Sequence, residues 1–543
     1  MGRDHSGCPG VAEADLNLRP DHRQYAPIVD LRIVPVPETL QTAVASSLSR
    51  RGSAPLFLPI EAGGRAITYA EMDAHAARLA GAVVRTGVRP GDRVLVQIDK
   101  SPAAVALYLA CLRIGAIYLP LNTDYTEAEL AYFLGDAEPA LAVCRPSSEG
   151  QFKRLISDTS TVLRTLDAEG GTLAQDIGEP APAVPRTPDD TVVILYTSGT
   201  TGRPKGAMLS QHNLVANARM LVEHWRFTAD DTLLHAVPLF HAHGLFVATH
   251  CSLLSGAKII LLPRFDADVV VANFPRASVF MGVPTHYTRL LSHPGFTREA
   301  TAKMRLFLSG SAPLTEETFR AFETRIGKRI LERYGMTETV MLTSNPYDGE
   351  RLAGSVGRPL PGVSLRAVGR ETGAEVAQGE VGSIEVKSES VFSGYWRNPA
   401  KTTEAFTADG FFRTGDMGYI DPKGNVHLVG RGGDLIISGG LNVYPKEIEA
   451  ALDQISGITE SAVIGVPHPD FGEAVVAVVT TASGARVDGE AVRAALRPVL
   501  AGFKIPKRVE VVDELPRNTI GKVQKTVLRA RYAGLFTDPV QKA

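Results

Sequence analysis

From Pro37 onward the chain alternates short Val/Ile/Leu runs with stretches of helical apolar spacing. That alternation limits the fold more than any other feature, because strands separated by covering helices pair in parallel. Arg93-Val94-Leu95-Val96-Gln97-Ile98 reads as a strand and Ala103 to Arg113 as the helix that follows it; Lys258 to Leu262 is a second strand-like run. The predicted class is α/β: a large N-terminal region of stacked α/β subdomains with parallel sheets, followed by a small mobile α+β domain. At about 150 residues per domain, 543 residues allow three or four structural units. Pro/Gly-rich stretches from Gly178 to Asp190 and from Gly354 to Gly362 read as loops between subdomains. A sharper boundary lies at Gly430-Arg431-Gly432-Gly433-Asp434. Beyond it, about one hundred residues carry a helix from Pro445 to Leu452, strands at Ser461 to Val466 and Ala474 to Thr480, then a helix and a final strand. The expected layout is a poorly ordered extension over 1–36, a large domain over 37–430, a hinge over 431–434 and a small domain over 435–543.

Composition removes several classes of function. Lys plus Arg total 57 against 59 Asp plus Glu, a net charge of −2, so no basic excess exists to hold nucleic acid. Cys8, Cys111, Cys144 and Cys251 lie far apart with no CxxC pair, which excludes a zinc ribbon and fits a reducing compartment. The most apolar stretch, Ala103 to Leu119, contains Arg113 and is about a residue short of a membrane span. It reads as a buried helix. Met1-Gly2 with Ser6 loosely fits a myristoylation pattern. Asp4, Glu13, Asp15 and Asp21 argue against a transit peptide, and no apolar signal core is present, so the expected location is cytoplasmic.

The strongest chemical signal is Ile194-Leu195-Tyr196-Thr197-Ser198-Gly199-Thr200-Thr201-Gly202-Arg203-Pro204-Lys205-Gly206. A strand runs into a loop of hydroxyls and glycines closed by a Lys. Glycines let backbone approach a polyphosphate, hydroxyls and N–H groups donate to its oxygens, and the Lys neutralises charge. The spacing is not that of a Walker A loop.

This segment resembles the phosphate-loop signature of the adenylate-forming superfamily: acyl-CoA synthetases, luciferases and peptide-synthetase adenylation domains. Further stretches match in order, over about residues 37 to 535. Tyr334-Gly335-Met336-Thr337-Glu338 resembles the adenine and magnesium motif, Thr414-Gly415-Asp416 the ribose motif, Gly430-Arg431 the hinge, and Pro516 to Lys522 the C-terminal catalytic-lysine motif. The resemblance implies MgATP and CoA as co-substrates and an acyl-adenylate intermediate. It implies an ATP site at Thr197, Ser198, Gly199, Thr200, Thr201, Gly202, Lys205, Ser311, Ala312, Tyr334, Gly335, Thr337, Asp416, Arg431 and Lys522. Glu338 and Thr200 are the expected magnesium ligands, since the ion prefers hard oxygens. Lys522, Glu338 and His241 are the expected catalytic residues. A point charge at Lys522 would help two anions approach, and His241 would act as a gate beside the carboxylate, although a His there can also be simple packing. Ser438, Gly439, Gly440 and Lys504, with Lys507, resemble stretches that meet CoA.

The family also implies an acyl pocket built from Phe240 to Phe246, from Ser309 to Pro313, and from Arg333 with the chain beyond Glu338. A guanidinium at the pocket floor would bind a second carboxylate and exclude fatty chains. Alternatively Arg333 forms an ion pair with Glu332, leaving Arg276 or Arg289 for the same task. Ser309 belongs to the expected substrate site, and Met341 would shorten the pocket. The stretches Phe240–Leu245, Leu331–Pro346, Gly465–Glu473 and Leu515–Gln524 resemble malonyl-CoA synthetases. The implied substrate is therefore malonate, with methylmalonate second. Another short acid, or loading of a carrier protein, are the alternatives. Gly433 departs from the family's usual Asp or Lys, and slower domain switching is expected. Acetylation of Lys522, and hence partner enzymes that add and remove it, is conceivable.

Overall fold

Strands buried on both faces need unbroken apolar runs, and this chain supplies them. The computed structural model describes residues 38–197, 204–438, 441–469, 471–482, 487–500, 502–518 and 521–536. Among these, two large sheets form the N-terminal region. One has the order Gly394–Tyr395, Lys205–Ser210, Thr191–Thr197, Ile117–Pro120, Arg93–Gln97, Leu141–Cys144, Val162–Thr165. The other runs from Arg358–Pro359 through Thr343–Ser344, Leu331–Tyr334, Leu306–Ser309, Val279–Gly282, Thr232–His235, Lys258–Leu261 and Pro55–Leu58 to Ile67–Thr68. Its central strands are parallel and fully buried, as are Ile117–Pro120 and Leu141–Cys144 in the first sheet. The antiparallel pairings lie towards the edges.

A single apolar core joins both sheets. It takes Val94 and Val193 from one, Leu233 and Ile259 from the other, and Leu79, Leu107, Leu214 and Leu253 from helices. The helix Pro102–Ile114 has ten buried residues; Ser101 caps its start by accepting from the Ala104 N–H at 3.2 Å, and Gly115 ends it in a left-handed turn at φ 72°. The apolar stretch Ala103 to Leu119 is therefore not one helix. Gly115 breaks it, and Ile117–Pro120 returns as a strand. Among the described residues no helix is long and apolar enough to cross a membrane.

A third, antiparallel sheet (Ser364–Val368, Gly382–Lys387, Phe412–Ile420, Val426–Arg431) leads into the C-terminal module. There, Ile458–His468 and Gly472–Thr481 alternate strictly. Val463, Val475, Ala477 and Val479 face one apolar cluster with the helices Pro445–Leu452 and Gly489–Leu496. Ala462, Ile464, Val476 and Val478 face a second cluster under Leu528. The helix at 445–452 matches the expectation residue for residue. Two features add to it: a short hairpin, Ile436–Ser438 with Leu441–Val443, and a last helix, Lys525–Tyr532. That helix buries only Leu528, so its apolar stripe is too thin to read from sequence. Residues 38–543 form one compact unit, and the expected extension over 1–36 lies outside the described residues.

Candidate active site

In parallel sheets, ligand crevices form beyond the carboxyl ends of the strands. Here the ends of several strands from both sheets converge on one cavity of about 830 Å³. Lys100 follows Arg93–Gln97 and Asn122 follows Ile117–Pro120; His241 and His243 follow Thr232–His235. Arg264 follows Lys258–Leu261, His286 and Arg289 follow Val279–Gly282, and Ser311 follows Leu306–Ser309. Arg517, Asn518 and Gly521 of the C-terminal module complete the wall, with Gly521 against Thr285.

Beside this cavity, the hairpin Thr191–Thr197 and Lys205–Ser210 pairs Thr197 with Lys205 across the ends of the loop between them. The expected phosphate-loop residues Ser198, Gly199, Thr200, Thr201 and Gly202 lie outside the described residues. Lys205 Nζ sits 4.4 Å from the centre of the Tyr395 ring. The Tyr395 hydroxyl donates to Glu338 Oε1 at 3.0 Å. Glu338 is 5% exposed; burial raises its pKa, partly offset by hydrogen bonds and by the charges of Arg431 and Lys205. Among the described residues no cluster of three His, Cys, Asp or Glu side chains forms a metal cage. A single buried carboxylate beside a lysine fits an ion such as Mg²⁺ that takes most of its oxygens from phosphates and water.

Tyr334 ends its strand, and Gly335 turns the chain so tightly that a Cβ there would lie 2.0 Å from the Val340 carbonyl. The Tyr334 hydroxyl donates to Asp416 Oδ2 at 2.5 Å, while Arg431 Nε meets Asp416 Oδ1 at 2.8 Å. Asp416 and Arg431 are cross-strand partners, so the sheet itself sets this pair. Asp416 raises the pKa of Arg431. Lys522 lies within electrostatic reach of both. Its pKa is lowered first by burial and then by Arg431, with Asp416 and Asp434 acting in the opposite direction. Its backbone N–H donates to Asn518 Oδ1 at 2.8 Å, which closes a tight loop. Thr337 and Ala312 are half-buried nearby in sequence to Glu338 and Ser311. Ser311, a non-glycine residue at φ 70°, lies within 3.3 Å of His243 Nδ1 through its hydroxyl. Strained backbone of this kind persists where surrounding structure enforces it.

Arg333 is 4% exposed, and its Nε and Nη2 atoms have no hydrogen-bond partner. It does not line the cavity as expected. Its guanidinium lies flat on Gly310, where a Cβ would fall 2.1 Å from Nη1. No ion pair with Glu332 forms, because neighbours on a strand face opposite ways; Glu332 instead accepts the Leu314 N–H at 3.2 Å, and burial lifts its pKa to about 7. Burial lowers Arg333 to about 10, and burial together with the Arg333 charge holds His241 near 4 and His243 well below its usual value.

Three other expected substrate residues also stand away from the cavity wall. Met341 is buried in the core, and Ser309 is buried with an unpartnered Oγ. Arg276 donates to the Ile60 and Pro59 carbonyls at 2.7 and 2.8 Å and to Asn273 Oδ1 at 2.8 Å, so its guanidinium is spent pinning a loop. Of the expected CoA residues, Ser438 is a buried strand residue paired with Gly472, and Lys504 is paired with Glu447 at 2.6 Å. Gly439 and Gly440 lie outside the described residues. Tyr395, Lys100 and Arg264 escape a motif-based reading. The position of Lys100 and Arg264 just after strands is the signal that could have found them.

AMP-binding enzymes match this chain over residues 46–396, and the C-terminal domain of AMP-binding enzymes matches residues 447–522; the chain belongs to this family. It is an adenylate-forming acid–CoA ligase that uses ATP with Mg²⁺, and CoA as co-substrate. Among its relatives, a feruloyl-CoA synthase of an Amycolatopsis species is 37% identical over 89% of this chain and 97% of its own length. The malonate–CoA ligase of Arabidopsis thaliana is 32% identical over 87% of this chain and 86% of its own. The crystal structure of ATP-bound MatB from Rhodopseudomonas palustris superposes with a TM-score of 0.89 at 50% identity, covering 92% of this chain and all of that one.

Proposed function

We propose that this ligase joins malonate to CoA through malonyl-AMP, with methylmalonate as a second substrate. The observation that carries the reading is the charge of the cavity wall. Arg264 and Arg289 line it without any hydrogen-bond or ion-pair partner among the described residues, and Lys100 lines it without a carboxylate partner. Two acids line it as well: Asp99, which faces Arg145 at 3.5 Å, and Asp124. Unpaired cations favour an acid with a second negative group and penalise a fatty chain. Burial, with the Arg333 charge added to it, keeps His241 and His243 neutral, so they can meet the reacting carboxylate as hydrogen-bonding groups rather than as ions.

In the first half-reaction a malonate oxygen attacks the α-phosphorus of ATP, and the bond to pyrophosphate breaks. Lys522 neutralises charge between the two anions; Lys205 meets phosphate oxygens, Glu338 would hold a magnesium ion that offsets phosphate charge, and Asp416 accepts from ribose hydroxyls with Arg431 steadying it. In the second, the C-terminal module rotates about 431–434, and the CoA thiolate attacks the acyl carbon as AMP leaves. The Ser438-Gly439-Gly440 stretch and Lys504 then serve CoA, Lys504 after leaving Glu447. Three free, buried cysteines fit a cytoplasmic, reducing setting for this chemistry.

The test is thioester formation with MgATP and CoA across malonate, methylmalonate, acetate, succinate, ferulate and octanoate. Malonate leading by tenfold in kcat/KM, about 1.4 kcal/mol in the transition state, is expected. Ferulate belongs in the panel because a cavity of about 830 Å³ has room for an acid longer than three carbons. Ferulate or octanoate winning would overturn the dicarboxylate reading and leave the ligase chemistry standing.

A further inference from the structure

Lys100 belongs to none of the nucleotide or hinge motifs, yet it is the only lysine among the described residues of the cavity wall. Its Nζ donates to His235 Nδ1 at 2.9 Å and to the His235 carbonyl at 2.7 Å. His235 is fully buried, and its Nε2 stands 3.1 Å from the Gly244 carbonyl. A carbonyl only accepts, so Nε2 carries the ring proton and Nδ1 offers a lone pair to Lys100. The contact therefore joins the end of a strand in one large sheet to the end of a strand in the other, and fixes the ammonium in place. A protonated lysine has three N–H donors. Two are spent on His235, and the third is left for the cavity.

A second observation marks the same place. His286 lines the cavity, is 9% exposed, and has an Nδ1 with no partner. Its ring stacks on Phe265 at 4.1 Å, and it feels the charges of both Arg289 and Lys100. An unpartnered buried imidazole nitrogen, a tethered lysine and a guanidinium thus surround one part of the cavity, with no acid of the protein paired to any of them.

We propose that Lys100 is a specificity-determining residue, its ammonium holding the far, anionic end of the acid with His286 beside it. This rests on the reading that the substrate carries a second negative group, and it assigns that group a ligand. Lys100 is half-buried and tethered, whereas Arg264 and Arg289 are exposed; burial pushes the Lys100 pKa well down, so it keeps its proton best against a bound anion, and a charge there is less screened and more discriminating.

The test compares wild type, Lys100→Met and Lys100→Arg on malonate, succinate, sulfoacetate and butyrate, measuring kcat and KM separately. The expected result is a fall of at least tenfold in the malonate-to-butyrate ratio of kcat/KM for Lys100→Met. The loss sits in KM, and Lys100→Arg recovers part of it. A parallel fall for malonate and butyrate would mean that Lys100 only ties the two sheets together, and would overturn the proposal. The wild-type ranking separately tests the malonate reading. If succinate or sulfoacetate leads there, malonate is wrong, while a collapse of that acid's ratio in Lys100→Met still supports Lys100. Butyrate leading in wild type, with a ratio that Lys100→Met does not move, overturns both.

Discussion

Asp416 is held from two sides, by the Tyr334 hydroxyl and by Arg431, and the two ties separate binding from chemistry. Tyr334→Phe removes one of them and is expected to raise the KM for ATP several-fold with a smaller change in kcat. Lys522→Met removes the cation instead. ATP–pyrophosphate exchange should fall by about 10² to 10³, the scale of losing one preorganised charge-stabilising group. Thioester formation from supplied acyl-adenylate should fall much less, and equal losses in the two assays would contradict the role given to Lys522. The buried histidines carry a prediction for stability. His241 is held near 4, and His250 and His286 near 3, all chiefly by burial, against about 6.5 in an unfolded chain. Below pH 6.5 the unfolded state binds protons that the folded state refuses, so stability is intact above that pH and is lost as pH falls towards 4 and 3. Denaturant titrations from pH 7.5 to 4.5 should show this loss, with a shallower slope in His250→Asn; identical slopes would remove His250 from the account.

At the scale of elements, what could be read from the sequence was what local chemistry enforces. The helix at 445–452 and the strand at 93–97 follow from apolar spacing and from their flanking turns. Glu338, Asp416 and Lys522 are legible because each sits in a run of small or turn-forming residues that few chains contain. Arg333, expected at the pocket floor, is not among the residues that line the cavity, and neither is Glu332: alternation along a strand says that the two face opposite ways, but not what lies on either side. Tyr395 beside Lys205 and Glu338, and Lys100 and Arg264 on the cavity wall, are ordinary residues put in place only by the pairing of distant strands. Gly335 illustrates a tolerance that sequence alone cannot give. A methyl group there meets backbone at 2.0 Å with nothing flexible to yield, so Gly335→Ala should misplace Tyr334 and cut adenylation at least tenfold. Gly433 is the opposite case: a Cβ there meets nothing within 4 Å. Gly433→Lys should therefore fold normally, and it should speed thioester formation if the missing side chain slows domain switching. An unchanged rate would end that idea.

For the molecule as a whole, the decisive feature is that the C-terminal module helps to wall the cavity, with Gly521 placed so that a Cβ would lie 3.3 Å from Thr285 Oγ1. Cysteines introduced at both positions are close enough to be bridged. The oxidised Thr285→Cys/Gly521→Cys variant should keep pyrophosphate exchange, lose thioester formation by tenfold or more, and regain it on reduction. Full thioester activity in the oxidised form would show that no rotation is needed. The shared wall also fixes when the enzyme can judge its substrate. On the proposed rotation, part of the surface that measured the acid would leave with the module before the thiol arrives. Selection would then be confined to the moments before activation, and an incorrect acid that survived that inspection would meet no second one.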